Sequence, residues 1–137
     1  MKTYTGSCHC GAVRYEADLD LAAGTNRCNC SYCAKVRAWF AFARGAAAFR
    51  LLEGASALSE YRWTPPGRES HLVFSFCKHC GVRTFARGEL AALGGVFHAM
   101  SVPTLALDEG ELKTIPITYI DGKHDDYARV PAETRAL

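Results

Sequence analysis

No apolar run in the sequence approaches the ~18 residues that a membrane-spanning helix needs. The opening "MKTYTGSCHC" has no hydrophobic stretch of the kind that drives secretion, so the expectation is a cytoplasmic protein without a membrane partner. Charge of one sign is also scarce. The net charge is only +2 and the basic residues are scattered, which removes the electrostatic footprint expected of a nucleic-acid binder. Low-complexity tracts, linker-like segments and internal repeats are absent, and the 49% hydrophobic, 22% charged composition is that of a folded chain. At 137 residues the chain has the length of one domain, read as 1–137, and folding would bury roughly two-thirds of its unfolded surface. It therefore has no need of disulfide staples. What the sequence does have is seven cysteines, an odd number, which in a reducing compartment read as metal ligands or catalysts rather than disulfides.

Short alternating segments dominate the chain. In "AVRYEA" (12–17), Val13 and Tyr15 share one face while Arg14 and Glu16 share the other, the pattern of a half-buried strand. "AWFAFA" (38–43) is apolar on both faces and reads as a covered strand. "HLVFSF" (71–76) and "VRTFAR" (82–87) flank a cysteine pair, which predicts a hairpin with that pair at its tip, and "GVFHAMSV" (95–102) predicts another strand. Helical signals are few: Ser31 is placed to cap a turn or two through "YCAKVR", and "VPTLALDE" (102–109) suits a short turn. "TPPGRE" (64–69), "DEGE" (108–111) and "IDGKHDD" (120–126) read as turns. The expectation is a mainly-β domain with a few short helices.

The cysteines fall into three motifs: Cys8-x-Cys10, Cys28-x-Cys30-x-x-Cys33 and Cys77-x-x-Cys80. Two short pairs far apart in sequence make the two halves of a zinc ribbon or knuckle site. Gly11 and Gly81 follow the two pairs and allow tight turns that aim backbone amides at thiolates. Cys8, Cys10, Cys77 and Cys80 thus suit a closed structural zinc of four thiolates. Cys28, Cys30 and Cys33 remain, and a zinc held by three protein ligands keeps its fourth position for water or substrate. A helix start at this segment would favour the thiolate form. Other readings stay open at this point. A nearby His or Asp could close the second site, Cys30 and Cys33 could form a redox pair, or Cys28 or Cys30 could join the other metal.

"GSCHCGAVRYE", "CNCSYC" and "FCKHCG" followed by "TF", in this order and spacing, resemble the glutathione-dependent formaldehyde-activating enzyme family, whose domain is shared with the centromere protein V group. The resemblance extends to "EYRW" (60–63) and "YIDGKHDDY" near the C-terminus. It implies an Mss4-like (β-tent) fold of stacked antiparallel sheets and two zinc ions per chain. Carried over by position, Cys8, Cys10, Cys77 and Cys80 match the structural ligands, and Cys28, Cys30 and Cys33 match the catalytic ones. The implied activity is that of a carbon–sulfur lyase interconverting S-hydroxymethylglutathione with glutathione and formaldehyde, so the implied partner is a small-molecule thiol. Two departures bear on glutathione recognition: Ala34 stands where many relatives carry a basic residue, and "KVRAWFAF" replaces a glycine-containing segment.

Three thiolates make a zinc a poor acidifier of water and a better manager of a thiol, which favours C–S chemistry over hydrolysis. Lys35 and Arg37 could offset the charge or meet a substrate carboxylate, although a solvated helix face explains either as well. His9 and His79 lie inside the structural pairs and should point away from the metal. His71 and His98 fall on strand candidates and suit a sheet surface, and His98 or His124 could act as acid or base near neutral pH. "DGKHDD" (121–126) lacks the carboxylate pattern of a calcium loop and reads as a turn. Two other classes share these motifs: a zinc-stabilised binding module without catalysis, and a C-x-x-C thiol redox protein.

Overall fold

The computed structural model describes residues 1–69 and 71–137. Its ten strands are β1 (Lys2–Ser7), β2 (Arg14–Leu19), β3 (Thr25–Cys28), β4 (Trp39–Arg44), β5 (Phe49–Glu53), β6 (Leu58–Trp63), β7 (Leu72–Cys77), β8 (Arg83–Leu90), β9 (Gly95–Ser101) and β10 (Ile117–Ile120). They form two sheets, accompanied by the helices α1 (Cys33–Val36) and α2 (Glu109–Thr114) and short 3-10 turns. The mainly-β expectation holds. Two compact units divide the chain: Met1–Leu19 with Phe42–Ala106, and Asp20–Ala41 with Leu107–Leu137.

In the first unit, β1, β2 and β5 make an antiparallel sheet in that order. The alternation read in "AVRYEA" is realised, since Val13 and Tyr15 are fully buried while Arg14 is exposed. The other sheet runs here in the order β4, β9, β8, β7, β6. The hairpin β7–β8 pairs Val73 with Arg87 and Ser75 with Phe85, then shifts register beside the cysteine turn. Aromatic rings from the two sheets meet in the core. Phe49 lies 5.8 Å from Tyr15, 4.5 Å from Phe85 and 4.3 Å from the His98 ring. The Tyr15 hydroxyl, carried into this core, is satisfied by Thr104 Oγ1 at 2.7 Å. His98 is therefore a core residue, only 7% exposed, and not the sheet-surface histidine suggested by its strand position.

In the second unit, β3 pairs antiparallel with the start of β4, matching Asn26 to Phe40 and Arg27 to Trp39. β10 lies parallel to β3, matching Ile117 to Thr25 and Ile120 to Cys28. The buried Thr25 ties all three strands together. Its hydroxyl donates to the Pro116 carbonyl at 2.8 Å and accepts from Trp39 Nε1 at 2.7 Å. This parallel pairing brings the end of β10 beside the start of "CNCSYC".

The helices depart from their expected boundaries. α1 is capped by Tyr32, in helical conformation and without a side-chain cap, so Ser31 does not play that part. "DEGE" is not a free turn but the start of α2, where Asp108 Oδ1 accepts the Glu111 N–H at 2.8 Å. The 3-10 turn Val102–Thr104 is the short turn anticipated upstream of it.

Candidate metal centres

Cys8 and Cys10 sit where β1 turns into β2, and Cys77 and Cys80 where β7 turns into β8. Gly11 and Gly81 follow at φ +77° and +73°, left-handed conformations that bend both turns back on themselves. The four sulfurs all lie within 4.8 Å of one another, with Cys8–Cys10 at 3.6 Å and Cys10–Cys77 at 3.7 Å. A tetrahedral ion with metal–sulfur bonds of about 2.3 Å requires roughly 3.8 Å between sulfurs, so the donor set fits a soft metal. Backbone amides converge on these sulfurs as the glycine pattern suggested. The Val13 N–H donates to Cys8 Sγ at 3.3 Å, and the amides of Cys10 and Val82 draw the Cys80 thiol down to about 6. The Ala12 amide acts in the same sense on Cys10, but its neighbours Cys8, Cys77 and Cys80, together with burial, push that thiol up to about 11. Cys8 and Cys77 pack with Val13 and Ala57 in a small apolar cluster that shields the site.

The other three cysteines form a separate cluster. The sulfurs of Cys28, Cys30 and Cys33 lie within 4.8 Å of one another, and among the described residues no His, Asp, Glu or further Cys joins either group. The partition is thus four and three, and neither Cys28 nor Cys30 crosses to the other set. Cys28 ends β3, Cys30 follows in the loop and Cys33 opens α1. The Cys30 N–H points at Cys28 Sγ (3.4 Å) and the Cys33 N–H at Cys30 Sγ (3.5 Å). The helix start therefore serves Cys30 rather than Cys33. The Cys28 and Cys33 thiols, then the amides of Cys33 and Tyr32, hold Cys30 well below the usual thiol range. Cys33 and Cys28 are pushed the other way, Cys33 first by Cys28 and Cys28 first by Cys30. Three sulfurs sharing protons around one anion is what a metal cation would replace. None of the seven cysteines is in a disulfide.

The segment read only as a turn proves to be part of this site. Residues 122–124 make a 3-10 turn after β10, packed on the cysteine loop so closely that a Cβ at Gly122 would lie 2.6 Å from Cys28 Sγ. Asn29, between two of the cysteines, donates from Nδ2 to Asp121 Oδ1 at 2.7 Å and accepts the Lys123 N–H at 2.8 Å. Asp121 is 1% exposed and also binds His124 and Arg129. Its carboxyl lies far below the ordinary carboxylate range, first because of Asn29 and then His124. A buried acid before a glycine in "YIDGKHDD" was the available signal, but its partner Asn29 is 92 residues away in sequence.

The remaining candidates fall elsewhere. Arg37 turns its guanidinium to the Arg135 and Ala136 carbonyls at 3.4 Å, so it braces the C-terminal segment. Lys35 is exposed. His71 Nδ1 meets Thr64 Oγ1, and His98 belongs to the first unit's core, where burial and then Arg87 hold its pKa down to about 4. His98 is consequently neutral near pH 7 and is not an acid–base group there.

Comparison with known proteins extends these observations. A solved crystal structure of a Rhodobacter sphaeroides protein is similar at 29% identity and a TM-score of 0.64, over 83% of this chain and 99% of that one. Residues 3–120 match the family described as glutathione-dependent formaldehyde-activating enzyme. That match takes in every one of the seven cysteines, and on it the chain belongs to the glutathione-dependent formaldehyde-activating enzyme family.

Proposed function

We propose that this protein is a zinc-dependent carbon–sulfur lyase acting on a thiol–aldehyde adduct such as S-hydroxymethylglutathione. The observation that carries the reading is the convergence of three sulfurs, Cys28, Cys30 and Cys33, with no fourth protein ligand among the described residues. Cys8, Cys10, Cys77 and Cys80 would hold a structural zinc, and the three-cysteine cluster a catalytic one. Zinc there supplies a soft partner for sulfur and Lewis acidity toward an aldehyde oxygen. In the lyase direction the adduct's C–S bond breaks with its electron pair staying on sulfur, the hydroxyl proton passes to that sulfur, and the products are the free thiol and formaldehyde.

The chain's own part is to bring three sulfurs together and to supply no fourth ligand among the described residues. Cys30, which accepts from two backbone amides, is the member of the three whose thiolate form the chain favours. Arg129 balances the buried charge of Asp121, so that carboxylate adds little repulsion toward an incoming thiolate. The family match runs through both compact units, which supports reading 1–137 as one functional domain. Seven cysteines outside disulfides suit a reducing, cytoplasmic setting, and no helix among the described residues is long and apolar enough to cross a membrane.

The test is zinc per chain on metal-replete protein, with Cys30→Ser/Cys33→Ser beside wild type. Two zinc ions falling to one, with the fold kept and formaldehyde release from S-hydroxymethylglutathione abolished, is the expected result. One zinc in both proteins would sink the catalytic-metal reading and favour a binding module or thiol redox protein.

A further inference from the structure

The most densely bonded buried group in the second unit is the carboxylate of Asp121, one residue past β10. It accepts from Asn29 Nδ2 at 2.7 Å, from His124 Nδ1 at 2.9 Å and from Arg129 Nε at 3.0 Å, with a further short contact to Arg129 NH2. Its backbone is engaged as well: the N–H donates to the Arg129 carbonyl at 3.1 Å, and the carbonyl accepts from Asp126 at 3.1 Å. A carboxylate removed from water persists only when its lone pairs are filled and its charge is matched, and both conditions are met here.

One of these bonds has a direct consequence for the cysteine cluster. Asn29 is the spacer of Cys28-x-Cys30, and its amide is held at both ends, by Asp121 and by the Lys123 N–H, while its own N–H donates to the Ile120 carbonyl at 3.3 Å. The spacer is thus held by both its side chain and its backbone, which restrains the chain between the two flanking cysteines. His124 Nδ1 is engaged by Asp121, and neither residue joins the three sulfurs within ligand distance of one another.

We propose that Asp121 is a positioning residue for the three-cysteine site. Through Asn29 it fixes the Cys28–Cys30 arm. The inference rests on the reading that this cluster holds zinc. It identifies which residue makes the three cysteines a preformed site instead of a flexible loop.

The test is the rate of zinc release from the zinc-loaded full chain to a chromogenic chelator, with thermal melting as the check on folding. Wild type should release two zinc ions in separate kinetic phases, one of which is absent from Cys30→Ser/Cys33→Ser. Asp121→Ala and Asn29→Ala should each accelerate that phase by roughly 10–100-fold, the usual effect of removing a hydrogen-bonding partner behind a metal ligand. The other phase should not change. Because the two residues act through one bond, the double variant should be no faster than the faster single variant. His124→Ala should leave both phases unchanged. Should Asp121→Ala fail to fold, Asn29→Ala, which leaves the buried charge balanced by Arg129, carries the same comparison. Two wild-type phases that Asn29→Ala leaves unaltered would overturn this inference alone, as would a loss of the phase in His124→Ala. A single zinc in wild type would instead overturn the two-metal reading, and this inference with it.

Discussion

Gly122 shows how little space a metal-binding loop can leave its neighbours. A Cβ there would stand 2.6 Å from Cys28 Sγ and 3.2 Å from Cys30 Cβ, closer than atoms can sit without something moving. Gly122→Ala should therefore displace Cys28, lowering stability by about 1–3 kcal/mol as overpacked sites do. The measurement is a urea melt with zinc content determined in parallel, and the expected result is a lower midpoint together with loss of metal from the three-cysteine site alone. An unchanged midpoint and full zinc would show that the loop yields freely. His98 makes the opposite point, that a histidine's type does not fix its role. Its Nδ1 is buried with no hydrogen-bond partner among the described residues, its ring stacks on Phe49, and burial holds it neutral.

Among the elements, β2 and β5 are joined by more than their ladder. Arg50 on β5 reaches Glu16 at 3.2 Å and Asp18 at 3.0 Å on β2, and Thr3 on β1 donates to Asp18 at 2.6 Å. Arg50, then Thr3, holds the Asp18 carboxyl down to about 2 from an ordinary value near 3.8. A carboxylate with a depressed folded-state pKa adds stability that is complete above the unfolded value and lost as pH falls through the folded one. Wild type should accordingly lose stability between about pH 4 and pH 2, and Arg50→Met should lack that increment while keeping its ladder. Denaturant melts at pH 5 and pH 2 on both proteins measure the difference, and equal acid losses would remove the ion pair from the account. α1 illustrates how an element can end without glycine. Arg37 takes a left-handed φ of 49°, the Ala38 N–H closes on the Cys33 carbonyl at 3.0 Å, and the side chain is held by the C-terminal carbonyls.

For the molecule as a whole, the four-cysteine site closes a loop far longer than any hairpin, since Cys10 and Cys77 lie 67 residues apart in sequence. A metal bound there stabilises only the folded chain, so its binding free energy, on the order of 10 kcal/mol for such thiolate sites, becomes folding free energy. Cys77→Ser should therefore abolish the cooperative thermal transition, whereas Cys30→Ser/Cys33→Ser should keep it, as followed by circular dichroism with zinc present. A cooperative melt in Cys77→Ser at the wild-type temperature would show that the apolar cluster around Val13 and Ala57 holds the hairpins without metal.

The sequence by itself determined the strands whose side chains alternate, the hairpin carrying Cys77 and Cys80, the glycine turns behind both pairs, and the family. These are local properties, set by side-chain period, by backbone conformation at glycine and by ligand spacing. The motif spacings already suggested that the cysteines divide four and three, and the tertiary structure removed the crossed partitions left open, because sulfurs tens of residues apart meet only once the strands pair. It also decided that β10 lies parallel to β3, which carries Asp121 to Asn29 and makes an apparent turn a wall of the site. The same holds for Arg37, whose carbonyl partners lie almost 100 residues away. A long-range pairing leaves no periodic trace in the chain, since its free energy comes from burial and hydrogen bonds that exist only after folding.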